Sequence, residues 1–173
     1  MVYKATDVAN YVVRLSNDFG DEITHLRLQK ILYYIQGAFL ALKGEPAFDD
    51  EIYAWEYGPA VRSVFSKYTE YEKNSIPPPE TTIIINESDQ LFIKEINNRY
   101  RDYSTTQLVN KTHNEMPWSS TPKDGIITKE SIRSFFTDSV YNDSFLLSDK
   151  PIVTEIPNGF YDPAEDKEWS DFL

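Results

Sequence analysis

One segment of the chain, residues 24–44, most constrains what it can fold into. Its large apolar residues recur at intervals of three and four positions, which places them on one face of a helix. They are Leu28, Ile31, Leu32, Ile35, Phe39 and Leu42. So broad an apolar stripe is typical of a helix that packs in a hydrophobic core. The spacing therefore predicts a core helix.

Both ends of this helix are marked in the sequence. The hydroxyl of Thr24 can accept a hydrogen bond from an unpaired amide of the first turn. Lys43 suits the negative end of the helix dipole, and Gly44 can take the left-handed conformation that ends a helix. Gly37 inside the helix costs about 1 kcal/mol relative to alanine. Close approach by another element would explain that glycine, although a plain helical core would also tolerate it.

The segment after Gly44 predicts a short strand, because its residues alternate between two faces. Pro59 fits the first turn of a following helix that ends near Tyr71. The β-branched run at residues 81–85 could pair with this strand. The two faces of the predicted strand carry Ile52, Ala54 and Glu56 on one side and Tyr53, Trp55 and Tyr57 on the other.

Capping residues mark the remaining helices. Thr6 can cap a first helix, Ser88 a later one, and Ser104 or Thr105 a shorter one. Residues 128–136 form the last helix. The helix after Ser88 would carry Leu91, Ile93 and Ile96 on its apolar face.

These elements predict a mainly α fold with two parts. Residues 1–137 form a compact domain of about six helices with a short two-stranded β element, and residues 138–173 form an extended acidic tail. The tail has nine acidic residues against two lysines, and three prolines prevent any long helix. It is also rich in apolar residues, which need a surface to cover. That surface is either the globular part of this chain or the groove of a partner, and the sequence leaves both open.

Charge and composition exclude several function classes. The net charge of -11 would repel a nucleic-acid backbone, and no basic recognition helix is present, so the expected partner is a protein, preferably a basic one. Negative charge could also serve solubility alone. The chain has no cysteine, and it shows neither a signal peptide nor an uninterrupted apolar run of membrane-spanning length. We expect a cytoplasmic protein without membrane contact.

Residues that could carry catalysis are sparse. The two histidines, His25 and His113, lie far apart in the sequence, and there is no phosphate-binding glycine loop. His113 and Glu115 could supply two metal ligands, but a single histidine at a helix end is more often a hydrogen-bonding partner. We therefore expect no enzymatic activity, no metal and no cofactor. Aromatic anchors favour protein binding instead; the predicted partner-binding residues are Tyr53, Tyr57, Phe160, Tyr161, Trp169 and Phe172.

Two motifs carry a resemblance to a known family. The sequence Leu-Gln-Lys-Ile-Leu-Tyr-Tyr at residues 28–34 and Ala-Trp-Glu-Tyr-Gly-Pro at residues 54–59 resemble the Panacea domain of SocA/GepA-like proteins. The resemblance covers roughly residues 3 to 137, with Ala60 where valine is common. The motif residues are Leu28, Gln29, Lys30, Leu32, Tyr33, Tyr34, Trp55, Tyr57, Gly58 and Pro59. Trp55 and Gly58 are expected to be structural, as is Trp118 of the Met-Pro-Trp sequence that also resembles the family.

The resemblance implies an antitoxin of bacteria or phages. Such a protein would bind a toxin encoded by the adjacent gene, and the toxins of this family include small alarmone-synthetase-like enzymes. The alternative is a proteolytic adaptor that delivers a toxin to an ATP-dependent protease, because SocA-like members also resemble such proteins. For a third class, a hydrolase or nuclease, the sequence offers only scattered carboxylates as candidate catalytic groups.

Overall fold

The computed structural model describes residues 1–141. This part of the chain contains seven α-helices and three short strands, so the predicted mainly α fold is confirmed. The helices are α1 (Ala5–Asp18), α2 (His25–Ala38), α3 (Arg62–Tyr68), α4 (Glu87–Arg99), α5 (Thr105–His113), α6 (Met116–Ser119) and α7 (Lys129–Tyr141). The strands are β1 (Ile52–Trp55), β2 (Gly58–Val61) and β3 (Ile126–Ile127).

Helix α2 is the centre of the domain. It contacts α1, α3, α4, α5, α7 and β2, and every residue of α2 except Arg27 is buried. The prediction of a core helix is confirmed, but a single apolar stripe understates its burial, because its polar residues are buried as well. Leu42, which the stripe included, is 36% exposed, since it lies in the π-helical turn Phe39–Lys43 that continues α2.

The predicted ends of this helical segment are confirmed. The hydroxyl oxygen of Thr24 accepts a hydrogen bond from the amide of Arg27 at 3.3 Å. Gly44 ends the π-helical turn in the left-handed conformation, with φ of 73°. Local cap chemistry therefore sets both boundaries.

Close approach to Gly37 is also confirmed. Helix α7 packs across α2 at this point, and the buried ring of Phe136 fills the space beside the glycine. A Cβ atom at residue 37 would lie 2.4 Å from two carbon atoms of that ring. The absence of a side chain at Gly37 is what allows the two helices to approach.

We expect Gly37→Ala to lower the free energy of unfolding by about 1–3 kcal/mol, because overpacking outweighs the gain of about 1 kcal/mol in helix propensity. Denaturant unfolding measures the effect. In a Phe136→Leu background, where the ring is gone, the same substitution should be neutral or stabilising. An equal loss in both backgrounds would contradict a clash with Phe136.

The strands form an antiparallel sheet in the order β2-β1-β3. The strand predicted at residues 52–55 is confirmed, but its predicted pairing with residues 81–85 is wrong, because no strand forms there. The helix predicted after this strand forms as α3 and continues as a 3-10 turn to Tyr71, but the place of Pro59 in its first turn is wrong, because Pro59 lies in β2. The physical reason is proximity: a two-residue turn between Trp55 and Gly58 returns the chain directly, and closing so short a loop costs little entropy.

Of the caps predicted for the other helices, Thr6 and Ser88 are wrong and Ser104 is confirmed. Helix α1 follows Lys4 without a side-chain cap, and α4 is capped by Asn86, whose side chain accepts from the amide of Asp89 at 2.8 Å. Ser104 caps α5 and forms a reciprocal capping box with Gln107. On α4, Ile93 and Ile96 are buried as expected, but Leu91 is 68% exposed.

Candidate partner-binding site

The β1–β2 hairpin is held against α2 by side chains of the first family motif. In such a hairpin, Pro59 and Val61 direct their backbone polar groups away from β1, toward the outer edge of the sheet. Gln29 pairs with both groups of Val61: its Oε1 accepts from the amide at 2.7 Å and its Nε2 donates to the carbonyl at 3.3 Å. The Nζ of Lys30 donates to the carbonyl of Pro59 at 3.0 Å. Because proline has no amide proton, these contacts satisfy the outward groups of both residues.

Lys30 is fully buried beneath the hairpin, and this burial holds the pKa of its amine well below the usual value. The backbone of Gly58 passes close above it, with φ of 102°. A Cβ atom at residue 58 would lie 2.9 Å from the Nζ of Lys30 and 2.8 Å from the Oγ1 of Thr112. The glycine of the second motif is therefore required both by its conformation and by the lysine of the first.

The two tyrosines of the first motif lie beside the buried carboxylate of Glu115. The hydroxyl of Tyr34 donates to Glu115 Oε1 at 3.0 Å, and the Nζ of Lys111 lies 3.2 Å from the same oxygen. Burial raises the pKa of Glu115, and Lys111 and Tyr34 oppose that rise. Tyr34 also stacks on Tyr100 with a centroid separation of 4.0 Å. This cluster joins α2 to the end of α5 and to α4.

Each of the two histidines packs against an aromatic ring. His113 stacks on Trp118 at 4.0 Å, and burial lowers its pKa to about 4. His25 packs against Phe65 with a centroid separation of 4.9 Å. Burial, and to a smaller extent the charge of Lys30, lowers the pKa of His25 to about 4. Glu115 instead faces tyrosines and a lysine. Among residues 1–141, no group of three or more histidine and acidic side chains could hold a metal ion.

The family motifs therefore lie largely in the interior. Leu28 and Leu32 are fully buried in the core, and Tyr33 has no exposed surface. Trp55 is 4% exposed and packs on Phe65 in a small cluster on the face of β1 that also carries Tyr53. The apolar pattern of the sequence did not predict the burial of Lys30, Gln29 and Gln36. A usable signal was present, since His25, Gln29 and Gln36 share one helical face at spacings of four and seven residues.

Two tyrosines of the hairpin, Tyr53 and Tyr57, are less deeply buried than the motif residues around them. Tyr53 is half-buried, its hydroxyl donates to Glu51 at 3.0 Å, and the guanidinium of Arg62 lies 4.5 Å from the centre of its ring. Ile126 pairs with Tyr53 across the sheet and is 46% exposed. Tyr57 occupies the turn and is also half-buried. The structure thus places Tyr53 and Tyr57 on the same hairpin, whereas Phe160, Tyr161, Trp169 and Phe172 lie outside the described residues.

A cleft of about 250 Å³ opens beside this hairpin. Residues 54–56 form one wall, and Trp118 with the loop that follows it forms the other. The indole Nε1 of Trp118 donates to the carbonyl of Trp55 at 2.9 Å, which fixes one wall to the other. Trp118 was expected to be structural, and it has that role through this hydrogen bond, while its ring is only half-buried.

Comparison with known proteins identifies the family. No curated protein and no solved structure matches this chain. Within the described part of the chain, no helix has the length and apolar character that a membrane crossing requires. The sequence profile of the family described as "Antitoxin SocA-like, Panacea domain" matches residues 28–119, a range that includes α2 from Leu28 onward, the hairpin, the Glu115 cluster and Trp118. The chain belongs to this family of SocA-like antitoxins with a Panacea domain.

Proposed function

We propose that this antitoxin neutralises its toxin by binding the toxin protein directly, through the half-buried tyrosines of the β1–β2 hairpin. One observation carries the proposal: buried motif residues hold the edge strand of the hairpin, while Tyr53 and Tyr57 of the same hairpin are only half-buried. A preorganised backbone lowers the entropy cost of association, and tyrosine is a common anchor in protein interfaces. No catalytic group is needed for such a function.

The proposed toxin is a basic protein encoded by the adjacent gene. The chain has a net charge of -11, and the segment 138–173 contributes nine acidic residues against two lysines. This charge would accelerate encounter with a cationic surface and repel nucleic acid. Phe160, Tyr161, Trp169 and Phe172 of that segment are the proposed second set of contacts.

We expect the double variant Tyr53→Ala/Tyr57→Ala to bind the toxin about thirtyfold or more weakly, since interface hot spots contribute at least about 2 kcal/mol. The measurement is calorimetry with the toxin, together with rescue of growth on co-expression with the adjacent gene. Tyr71→Ala is the matched control, because Tyr71 is a half-buried tyrosine outside the hairpin. Equal loss in the control, or full rescue by the double variant, would remove the hairpin from the interface.

The same co-expression separates neutralisation from protease delivery. A toxin that accumulates in a stable complex supports direct neutralisation. A toxin whose level falls only when the antitoxin and an ATP-dependent protease are both present would instead support the adaptor role. Association that does not slow with added salt would contradict the electrostatic part of the proposal.

A further inference from the structure

We propose that the cleft beside the hairpin is a binding pocket for an arginine side chain of the partner protein. This inference rests on the proposed function and deepens it by naming the chemistry that the partner presents. The cleft volume of about 250 Å³ suits one long side chain. It is lined by both apolar and charged residues, as arginine recognition requires.

The walls of the cleft are held in place before any partner arrives. Ala54 accepts a hydrogen bond from the amide of Asp124 and donates to the carbonyl of Gly125, each at 2.8 Å. The hydroxyl of Thr121 donates to the carbonyl of Pro117 at 2.7 Å. Trp118 is held by its bond to Trp55. A side chain entering the cleft therefore meets fixed walls, which reduces the ordering cost of binding.

The indole of Trp118 supplies a surface on which a guanidinium can stack. Its ring stacks on His113, and it also lines the cleft while remaining half-buried. A planar guanidinium lies favourably over an aromatic face, and its methylene stem can pack against apolar atoms such as those of Ala54. These contacts favour arginine over lysine, whose ammonium group is compact and strongly hydrated.

A carboxylate at the rim completes the recognition. Glu56 lines the cleft and pairs with Lys123 at 3.8 Å, with 55% and 67% of their side chains exposed, respectively. An exposed ion pair at this distance is weak, so Glu56 can exchange Lys123 for an incoming guanidinium that binds it through two hydrogen bonds. Lys123 is thus a competitor for the same carboxylate.

Because Lys123 and the incoming arginine compete for Glu56, substitutions of Glu56 and Lys123 should change the binding affinity in opposite directions. If arginine occupies the cleft, Glu56→Gln should weaken binding by about tenfold or more, whereas Lys123→Ala should tighten it by about twofold to fivefold. An acidic occupant would produce the reverse order, and an apolar occupant would respond little to either change. Glu130→Gln serves as the control, because Glu130 is an acidic residue of α7 and does not line the cleft.

The experiment is an NMR titration of the full chain with N-acetyl-arginine amide at millimolar concentrations. The indole N–H signal of Trp118 is the reporter, assigned among the three tryptophans with a Trp118→Phe variant. We expect a saturable shift that weakens in Glu56→Gln, strengthens in Lys123→Ala and is unchanged in Glu130→Gln. No saturable shift, or an equal shift with N-acetyl-leucine amide or N-acetyl-lysine amide, would overturn the proposal.

The small probe needs no toxin, so its outcome is separate from that of the proposed function. Toxin that binds wild type, Glu56→Gln and Lys123→Ala with equal affinity would refute the arginine pocket in the complex and leave direct neutralisation intact. Absence of any toxin binding to the wild type would refute the proposed function, whatever the probe shows.

Discussion

Replacing Gly58 with alanine is expected to lower the free energy of unfolding by about 2–5 kcal/mol, because two independent costs add. The first cost is conformational, since residue 58 has φ of 102°, where an L side chain is strained. The second is steric: the new Cβ would lie 2.8–2.9 Å from Thr112 Oγ1 and from the buried end of Lys30. Denaturant unfolding with a thermal melt measures the combined loss.

Gly20→Ala is a matched control that separates these two costs. Gly20 also has a positive φ, 72°, but no atom lies within 4 Å of the position that its Cβ would occupy. This control should lose only about 1–2 kcal/mol of stability from backbone strain. If Gly58→Ala lowers the free energy of unfolding no more than Gly20→Ala does, then Lys30 and Thr112 can move aside. Conformation alone would in that case explain the motif glycine.

The second large effect is expected for Gln29→Leu, at about 2–5 kcal/mol, because both backbone groups of the buried residue Val61 would lose their partners. The substitution keeps a side chain of similar size, so the loss reports hydrogen bonding more than packing. Hydrogen exchange at the amide of Val61 should accelerate along with the global loss measured by denaturant unfolding. Toxin affinity should fall too, since the hairpin would no longer be held in one conformation.

Gln107→Leu is the control for this substitution. Gln107 is a half-buried glutamine whose side chain accepts from the amide of Ser104 and completes the capping box of α5. It should lose only about 1 kcal/mol of stability or less. If the Val61 amide exchanges as slowly in Gln29→Leu as in the wild type, the hairpin edge has another source of stability.

Features that depend on neighbouring residues could be predicted from the sequence. Thr24 and Gly44 mark the ends of the central helical segment, and Ser104 marks the start of α5. Gly37 indicated only that some element could approach, and the fold shows that this element is Phe136 of α7. Caps and close approaches are set within one or two helical turns or by the absence of a side chain, so they can be recognised without the fold. The family followed from the same kind of local information, because both motifs are short and contiguous.

The candidate site could be predicted only in part. Tyr53 and Tyr57 were expected to bind a partner, and both lie half-buried on the hairpin. The cleft beside Trp118 was not expected, because Ala54 and Lys123 are far apart in the sequence and meet only through pairing of β1 with β3. The strand pairing itself was predicted wrongly, since β-branched composition alone does not specify which strand is the neighbour.

The sequence by itself determined the identity of the central helix, its boundaries and the family to which the chain belongs, because each depends on residues within a few turns of one another. Only the tertiary structure decided the role of the helix's polar residues. Gln29 and Gln36 share a face that could equally have met water, but in the fold Gln29 bonds the edge of β2 and Gln36 bonds the backbone of Ala47 and Phe48. An amide side chain can form its hydrogen bonds either with solvent or with buried backbone groups. Which of these partners it has depends on the distant segment that the fold packs against it.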